Sequence, residues 1–522
     1  MSEREQPILR TVDGVDTKGP SASYAHNTCR LCAPLGATLV FRGIRGGMPY
    51  LHGSQGCATY IRRYLISHFR EPVDVASSSF SEDTTIFGGR ANFRQGLENI
   101  EAQYAPELVG VATTCLSETI GEDVGALVRE ATRAQDDGAR DDGARDDGVR
   151  DDGARDDEAR DDEARDDEAR DDEARDDEAR VERVPAPALV HVSTPSYAAN
   201  HADGFHASVR AVVEQMTGKG TRLSSGATDD AILNVLPGMI SPEDLRDLRR
   251  LVLAYGLRPV MLPDYADTLD GGTWDGYQEI PRGGTSLEEI RGMIQAAGTV
   301  ELGRTLAAED GDTAGRYLRR THGVPLFQLG TPIGLSETDA LVGCLASFGR
   351  KDAAQEEALR ATRARLLDAY IDGHKIASRA RVVVVAEDDL AVGLVSFLDE
   401  IGAEVVLCAS GGKRGRLERA IACLGREKLS NVPVMSDADY ARIDEACDEL
   451  RPDLLIGASK AYGTARRLDV PLLRVGFPIH DRFGGQRVHH VGYDGALALY
   501  DRFVNSLLES RQARSKIGYS YM

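Results

Sequence analysis

The chain lacks any run of about 18 uncharged apolar residues, the length a helix needs to cross a bilayer, so no membrane span is expected. Its start, MSEREQPILR, is charged and has no apolar centre, unlike a secretory leader. A cytoplasmic location is therefore expected. Basic residues are outnumbered, 62 Lys and Arg against 84 Asp and Glu. Without a basic footprint, nucleic-acid binding is not expected. No complete GxxxxGK[ST] phosphate loop is present. The nearest approach, Ser410-Gly411-Gly412-Lys413, reads as an ordinary strand-to-helix turn. Cysteine is sparse, eight in 522 residues, far from the density of a disulfide scaffold. In a reducing compartment, grouped cysteines point to metal binding or catalysis rather than to bridges.

The acidic excess is concentrated in one place. Residues 136–180 are nine copies of a five-residue unit; four DDGAR-like copies at −1 each and five DDEAR copies at −2 each give −14 of the net −22 and leave −8 elsewhere. A five-residue period advances about 140° around a helix per copy, so no face stays apolar. The DDEAR copies can form a solvated helix through Asp–Arg pairs at i, i+4. The DDGAR copies are not expected to, because each glycine costs about 1 kcal/mol. The repeat reads as an unpacked surface insertion without chemistry of its own.

Length suggests about three domains, and the pattern of elements agrees. Residues 1–25 are polar and aperiodic, an N-terminal arm. A first α/β domain is expected over 26–228, with the 136–180 insertion inside it. A second is expected over 229–378, beginning at AILNVL, and a third over 379–522, beginning at ARVVVVA and closing with the C-terminal tail. Near-continuous apolar runs alternating with helical patterns mean mostly parallel sheets covered on both faces, in Rossmann-like units.

Three cysteines stand out. Cys32 precedes Pro34 and Gly36, which open a helix. Cys57 follows the expected strand 48–52 and the bend Gly53-Ser54-Gln55-Gly56. Cys115 follows the expected strand 107–114. Cys57 and Cys115 thus lie past the carboxyl ends of strands, where open α/β sheets bind ligands. Ser196, in the loop STPSY after a further strand, can add an oxygen to the same point. Buried core thiols are the plain alternative, but the shared strand-end placement favours a metal site. Thiolates carried on loops suit an iron–sulfur cluster, and no Cys–His set has the short paired spacing of structural zinc. Cys29 and Cys32 form a CxxC pair, yet no strand precedes it as a thioredoxin-type motif requires. Cys344, Cys408, Cys423 and Cys447 read as core thiols, and His480, His489 and His490 as structural.

The segments CAPLGA from Cys32, MPYLHGSQGCATY, HFREPV, SSSFSEDTTIFGG, TTCLSETIGEDV, STPSY and RVGFPIHDR resemble the β-type subunit of nitrogenase component 1. The likeness spans nearly the whole chain apart from the first 25 residues and the repeat. It implies three α/β domains and an α2β2 heterotetramer with an α-type partner. It also implies an [8Fe-7S] P-cluster at the α/β interface, with Cys32, Cys57 and Cys115 matching the family's three β-subunit ligands and Ser196 its auxiliary serine. Such a subunit relays electrons from an iron protein to an iron–sulfur cofactor on the α-type chain, so reduction happens on the partner. The segment Glu118–Asp123 resembles part of the iron-protein docking surface. The family also contains scaffold paralogues of iron–molybdenum cofactor biosynthesis, which would carry a [4Fe-4S] cluster. All three cysteines favour the reductase; the CRLC pair, RRYLISHFREPV and the GYSYM end depart from the ordinary molybdenum-enzyme subunit. A plain α/β ligand-binding protein without a cluster is the remaining reading.

Overall fold

The computed structural model describes residues 28–146, 186–218, 231–273, 276 and 278–518. The expected N-terminal arm, most of the acidic repeat and the last four residues lie outside the described residues.

Thirteen strands among the described residues form three sheets, and every pairing is parallel. The first holds β1 (Gly47–His52), β2 (Ala76–Ser77), β3 (Leu108–Thr113) and β4 (Ala188–Val192) in the order β2-β1-β3-β4. The second holds β5 (Ile232–Leu236), β6 (Arg258–Met261), β7 (Gly298–Leu302) and β8 (Leu326–Leu329) in the order β6-β5-β7-β8. The third holds β9 (Arg381–Val385), β10 (Glu404–Ala409), β11 (Val434–Met435), β12 (Leu454–Gly457) and β13 (Leu472–Arg474) in the order β11-β10-β9-β12-β13. Central strands are apolar throughout because helices cover both faces: every residue of LVGVAT in β3 is buried. This is the α/β, parallel-sheet class expected from sequence. One apolar core runs unbroken from the first sheet into the second, while the third sheet has its own core on each face.

The first sheet is wrapped by α1 (Ala33–Arg42), α2 (Gln55–Phe69), α3 (Glu82–Phe87), α4 (Arg90–Tyr104), α5 (Cys115–Thr119), α6 (Val124–Asp146) and α7 (His201–Thr217). Helices α3 and α4 were not anticipated. The capping box of Ser81 and Thr84 starts α3, and Phe93, Leu97 and Ile100 give α4 a narrow buried stripe at helical spacing. The expectation that glycine copies of the repeat break the helix is corrected: α6 continues through the first two DDGAR copies to Asp146. Val124, Leu127 and Val128 are buried against β3 and anchor its first turns. Once a helix is nucleated, each added glycine costs only the propagation penalty. Excising residues 147–180 is expected to leave the unfolding midpoint and bound iron of the purified protein unchanged; loss of either would show that the repeat packs on the fold.

The third unit is pinned to the second through a buried carboxylate. Asp244 accepts hydrogen bonds from the backbone N–H of His490 (2.9 Å) and Val491 (3.0 Å), and its Oδ2 lies 2.6 Å from His490 Nδ1. Burial works against the charge, but His490 and these donors hold Asp244 below the usual carboxylate range. His489 pairs with Asp247, so both histidines are structural, as the sequence suggested. Cys408 and Cys447 are core thiols, but Cys344 is half-buried and Cys423 is exposed at the end of the helix Arg416–Ala422. Cys423 stands one residue beyond the face that buries Leu417, Ala420 and Ile421.

Candidate functional site

Strand order decides which loops meet. In the first sheet β1 pairs with β2 on one side and β3 on the other, so the chain reverses direction across the sheet between β1 and β3. His52 and Thr113 are register partners, and Ala112 pairs with Val192. The turns after β1, β3 and β4 therefore emerge side by side at the carboxyl edge. They carry Cys57, Cys115 and Ser196.

Each candidate cysteine sits at a helix start. Cys57 lies inside the first turn of α2, which Ser54 caps by accepting from Gly56 N–H. Cys115 is the first residue of α5, behind the capping box of Thr114 and Ser117. Cys32 is the N-cap of α1, with Pro34 in the first turn. The unpaired N–H groups of a first helical turn stabilise negative charge on a thiolate. Cys32 is exposed, Cys57 and Cys115 are half-exposed, and none is in a disulfide. The thiols stand near one another: the Cys57 thiol is pushed up by burial and then by the neighbouring Cys32 and Cys115. Ser196 joins two of them. Its hydroxyl accepts from Ala33 N–H (3.1 Å), and its own N–H points at Cys115 Sγ (3.2 Å). Among the described residues, no three His, Cys, Asp or Glu side chains close on a single metal ion.

Cys32 reaches this edge by a different route from the other two. It bridges to Asn200, just ahead of α7, and α1 crosses α7 with the backbones in contact. A Cβ on Gly36 would stand 1.9 Å from the His201 carbonyl oxygen, and one on Gly204 would stand 2.0 Å from that of Ala33. Only glycine permits this crossing. The preceding segment is held from both sides. On the first unit, Leu31 N–H donates to His201 Nδ1 (3.3 Å) and His201 N–H to the Leu31 carbonyl (3.0 Å). On the third unit, Cys29 N–H donates to the Ala438 carbonyl (3.1 Å) and Lys460 Nζ to that of Thr28 (3.0 Å). Cys29 packs into the third unit's core, and burial pushes its thiol up to about 12. The two cysteines of the CxxC pair therefore serve different units, and the sequence alone could not separate them. The Ser410–Lys413 turn also has a role in this clamp: Gly411 abuts the backbone of Arg30 and accepts from Asn200.

His201 carries a pH signature. Burial pushes its imidazole down to about 4 from an ordinary 6.5. The unfolded chain takes up that proton first, so this contribution is complete above about pH 6.5 and is lost as pH falls toward about 4, at roughly 1.4 kcal/mol per pH unit for one proton. Replacing His201 by glutamine is expected to flatten the fall in stability across that window. Urea unfolding at several pH values measures it, and identical slopes in the two proteins would count against a neutral buried His201.

Two acids of the Glu118–Asp123 segment turn inward. Glu122 Oε2 lies 2.8 Å from His52 Nε2, and Glu122 Oε1 accepts from Gly89 N–H (2.7 Å). Burial lowers the His52 imidazole, opposed by Glu122. Glu118 accepts from Thr113 (2.5 Å) and from Ser193. They tie the turns after β1, β3 and β4 together, a role the sequence reading missed because nothing local marks it. Asp123 remains exposed at the surface.

A family model for nitrogenase component 1 type oxidoreductases matches residues 32–140 and 167–508. The chain belongs to that family. The unmatched interval, 141–166, falls inside the acidic repeat. The nitrogenase component 1 relatives include the nitrogenase molybdenum-iron protein beta chain of Clostridium pasteurianum, 29% identical over 485 residues and covering 92% of this chain and 93% of the relative. That of Methanothermobacter marburgensis is 30% identical, covering 91% and 93%. The nitrogenase iron-molybdenum cofactor biosynthesis protein NifN of a Nostoc species is 26% identical over 498 residues, covering 95% and 96%. The solved structure of nitrogenase Cp1 at pH 6.5 superposes with a TM-score of 0.78 at 28% identity, covering 97% of this chain and 98% of that one. The resemblance and the nitrogenase component 1 fold expected from sequence are thus borne out. The relatives thus include both molybdenum-iron protein beta chains and a cofactor biosynthesis protein. No helix among the described residues is long and apolar enough to cross a membrane.

Proposed function

We propose that this chain is the β-type subunit of a nitrogenase or nitrogenase-like reductase. In this reading Cys32, Cys57 and Cys115 hold an iron–sulfur cluster at a seam shared with an α-type partner, and electrons pass from an iron protein toward a cofactor on that partner. The observation that carries the reading is three free thiols at helix starts, Cys57 neighbouring the other two, with Ser196 bonded to Ala33 N–H and facing Cys115 Sγ. The donor set fits the group. Cys57 is held back from ionising by burial and by two neighbouring thiols, an arrangement that favours deprotonation only beside a strong positive charge such as iron. Ser196 adds a hydroxyl oxygen. Three thiol donors without an imidazole among them suit an iron–sulfur group, which in this reading would be of the [8Fe-7S] kind.

When bound, such a cluster takes up and releases electrons. This chain's residues would anchor it, dip three helix starts toward its negative charge and keep the first-unit loops in register through Glu118, Glu122 and His52. Tyr60, one helical turn along α2 from Cys57, and Tyr197, next to Ser196, are each 64% exposed, and Ile86 and Phe87 of α3 are exposed by 73 and 84%. Exposed apolar side chains of this kind suit a protein partner, here the α-type subunit of an α2β2 assembly.

The NifN-type relatives support a second reading, a scaffold on which the iron–molybdenum cofactor matures, with a [4Fe-4S] cluster at the same thiols. Anaerobic co-purification with the α-type chain, followed by iron and sulfide analysis, EPR and iron-protein-dependent turnover, tests both. Turnover with a cluster signal is the reductase outcome. Cofactor precursor bound and passed on without turnover is the scaffold outcome. Iron-free, colourless protein would overturn both.

A further inference from the structure

A hollow of about 420 Å³ lies between the end of β13, the loop after it and the helix Gly492–Arg514, away from the thiols. Three guanidinium groups line it: Arg474, Arg482 and Arg502. Their counter-charge is unequally shared. Asp481 takes both Arg474, through contacts of 2.6 and 3.0 Å, and Arg482 at 3.4 Å, and also accepts from Ser459. Arg502 is left with one neutral partner, the Arg474 carbonyl, at 2.8 Å. Asp501 and Glu509 also line the hollow, but both are solvent-exposed, and neither forms an ion pair with Arg502 among the described residues. Burial and then the neighbouring Arg474 guanidinium push its pKa down.

A guanidinium taken out of water without a counter-ion is costly. Its planar fork matches the oxygens of phosphate and carboxylate groups, and only one of its five N–H donors is hydrogen-bonded among the described residues. Asn505 and Ser506, one helical turn along from Arg502, line the same hollow and add neutral donors. The volume is in the range of small-ligand sites.

We propose that this hollow is an oxyanion site, taking a small phosphate- or carboxylate-type anion between Arg502 and Arg482, with Ser506 and Asn505 as further donors. The proposal is independent of the cluster reading. It would give the third unit a ligand of its own, bridging β13 to the last described helix.

Calorimetric titration of the purified full-length protein with inorganic phosphate, and separately with acetate, tests it, with ionic strength matched by chloride so that screening is constant. Saturable phosphate binding assigns the phosphate class, and saturable acetate binding alone the carboxylate class. Arg502→Met is expected to weaken binding about tenfold or more, the loss of one charge-assisted contact. Should that variant fail to fold, Asn505→Asp decides, since the exposed position tolerates the change and places a competing carboxylate beside Arg502. It is expected to weaken binding and leave thermal unfolding unchanged or raised. No saturable binding of either anion, or equal affinity in the variants, would overturn the proposal.

Discussion

Replacing Cys57 by alanine is expected to strip most of the iron from the anaerobically purified protein and to abolish the cluster's EPR signal. The substitution removes one half-exposed sulfur from the first turn of α2 and leaves the Ser54 cap in place, so the fold should lose no more than about 1 kcal/mol. The comparison that gives the result its meaning is Cys29→Ala. That thiol is three residues from Cys32 but packs in the third unit's core. Its removal is expected to lower stability through a small cavity and to leave the iron content per folded protein unchanged. Iron lost equally from both variants would mean that the assignment of Cys57 as a ligand is wrong and that iron retention only reports folding.

The second large effect is steric. Gly36→Val puts a branched side chain where even a Cβ would overlap the His201 carbonyl oxygen at 1.9 Å. The α1–α7 crossing would have to open, with an expected loss of about 3 kcal/mol in urea unfolding. Because Cys32, Ala33 and Leu31 are held by Asn200, Ser196 and His201 across that crossing, the same variant is expected to bind less iron. Gly343→Ala is the control. It lies in the helix Gly334–Ala346 with nothing within 4 Å of the added carbon, so alanine should be neutral or stabilise by up to about 1 kcal/mol. A Gly36→Val protein as stable as the parent would show that the crossing is not tight in solution.

Much of the site was legible because its chemistry is local. A buried run such as LVGVAT, an abrupt glycine or serine turn and a helix cap are all written within about ten residues, and each ends in a cysteine or a serine. The long α4 was there to be read in Phe93, Leu97 and Ile100, but its many polar residues mask the stripe. What sequence could not reveal were pairings between distant segments. His201 holds Leu31 from 170 positions away and Glu118 is bonded by Ser193 from 75, and no periodicity marks such partners. The same limit hid the division of labour inside the CRLC pair, where one thiol packs on the third unit's core and the other lies exposed at the start of α1.

By itself, the chain's order of residues determined the alternation of parallel strands and helices, since apolar periodicity and capping act between near neighbours. It also placed the reactive side chains at strand ends. Only the tertiary structure decided that Cys32, Cys57, Cys115 and Ser196 stand together. That outcome rests on β1 lying between β2 and β3, and on two glycines letting α1 touch α7. Both are contacts between segments far apart in the chain, selected by how well whole faces pack rather than by any local preference.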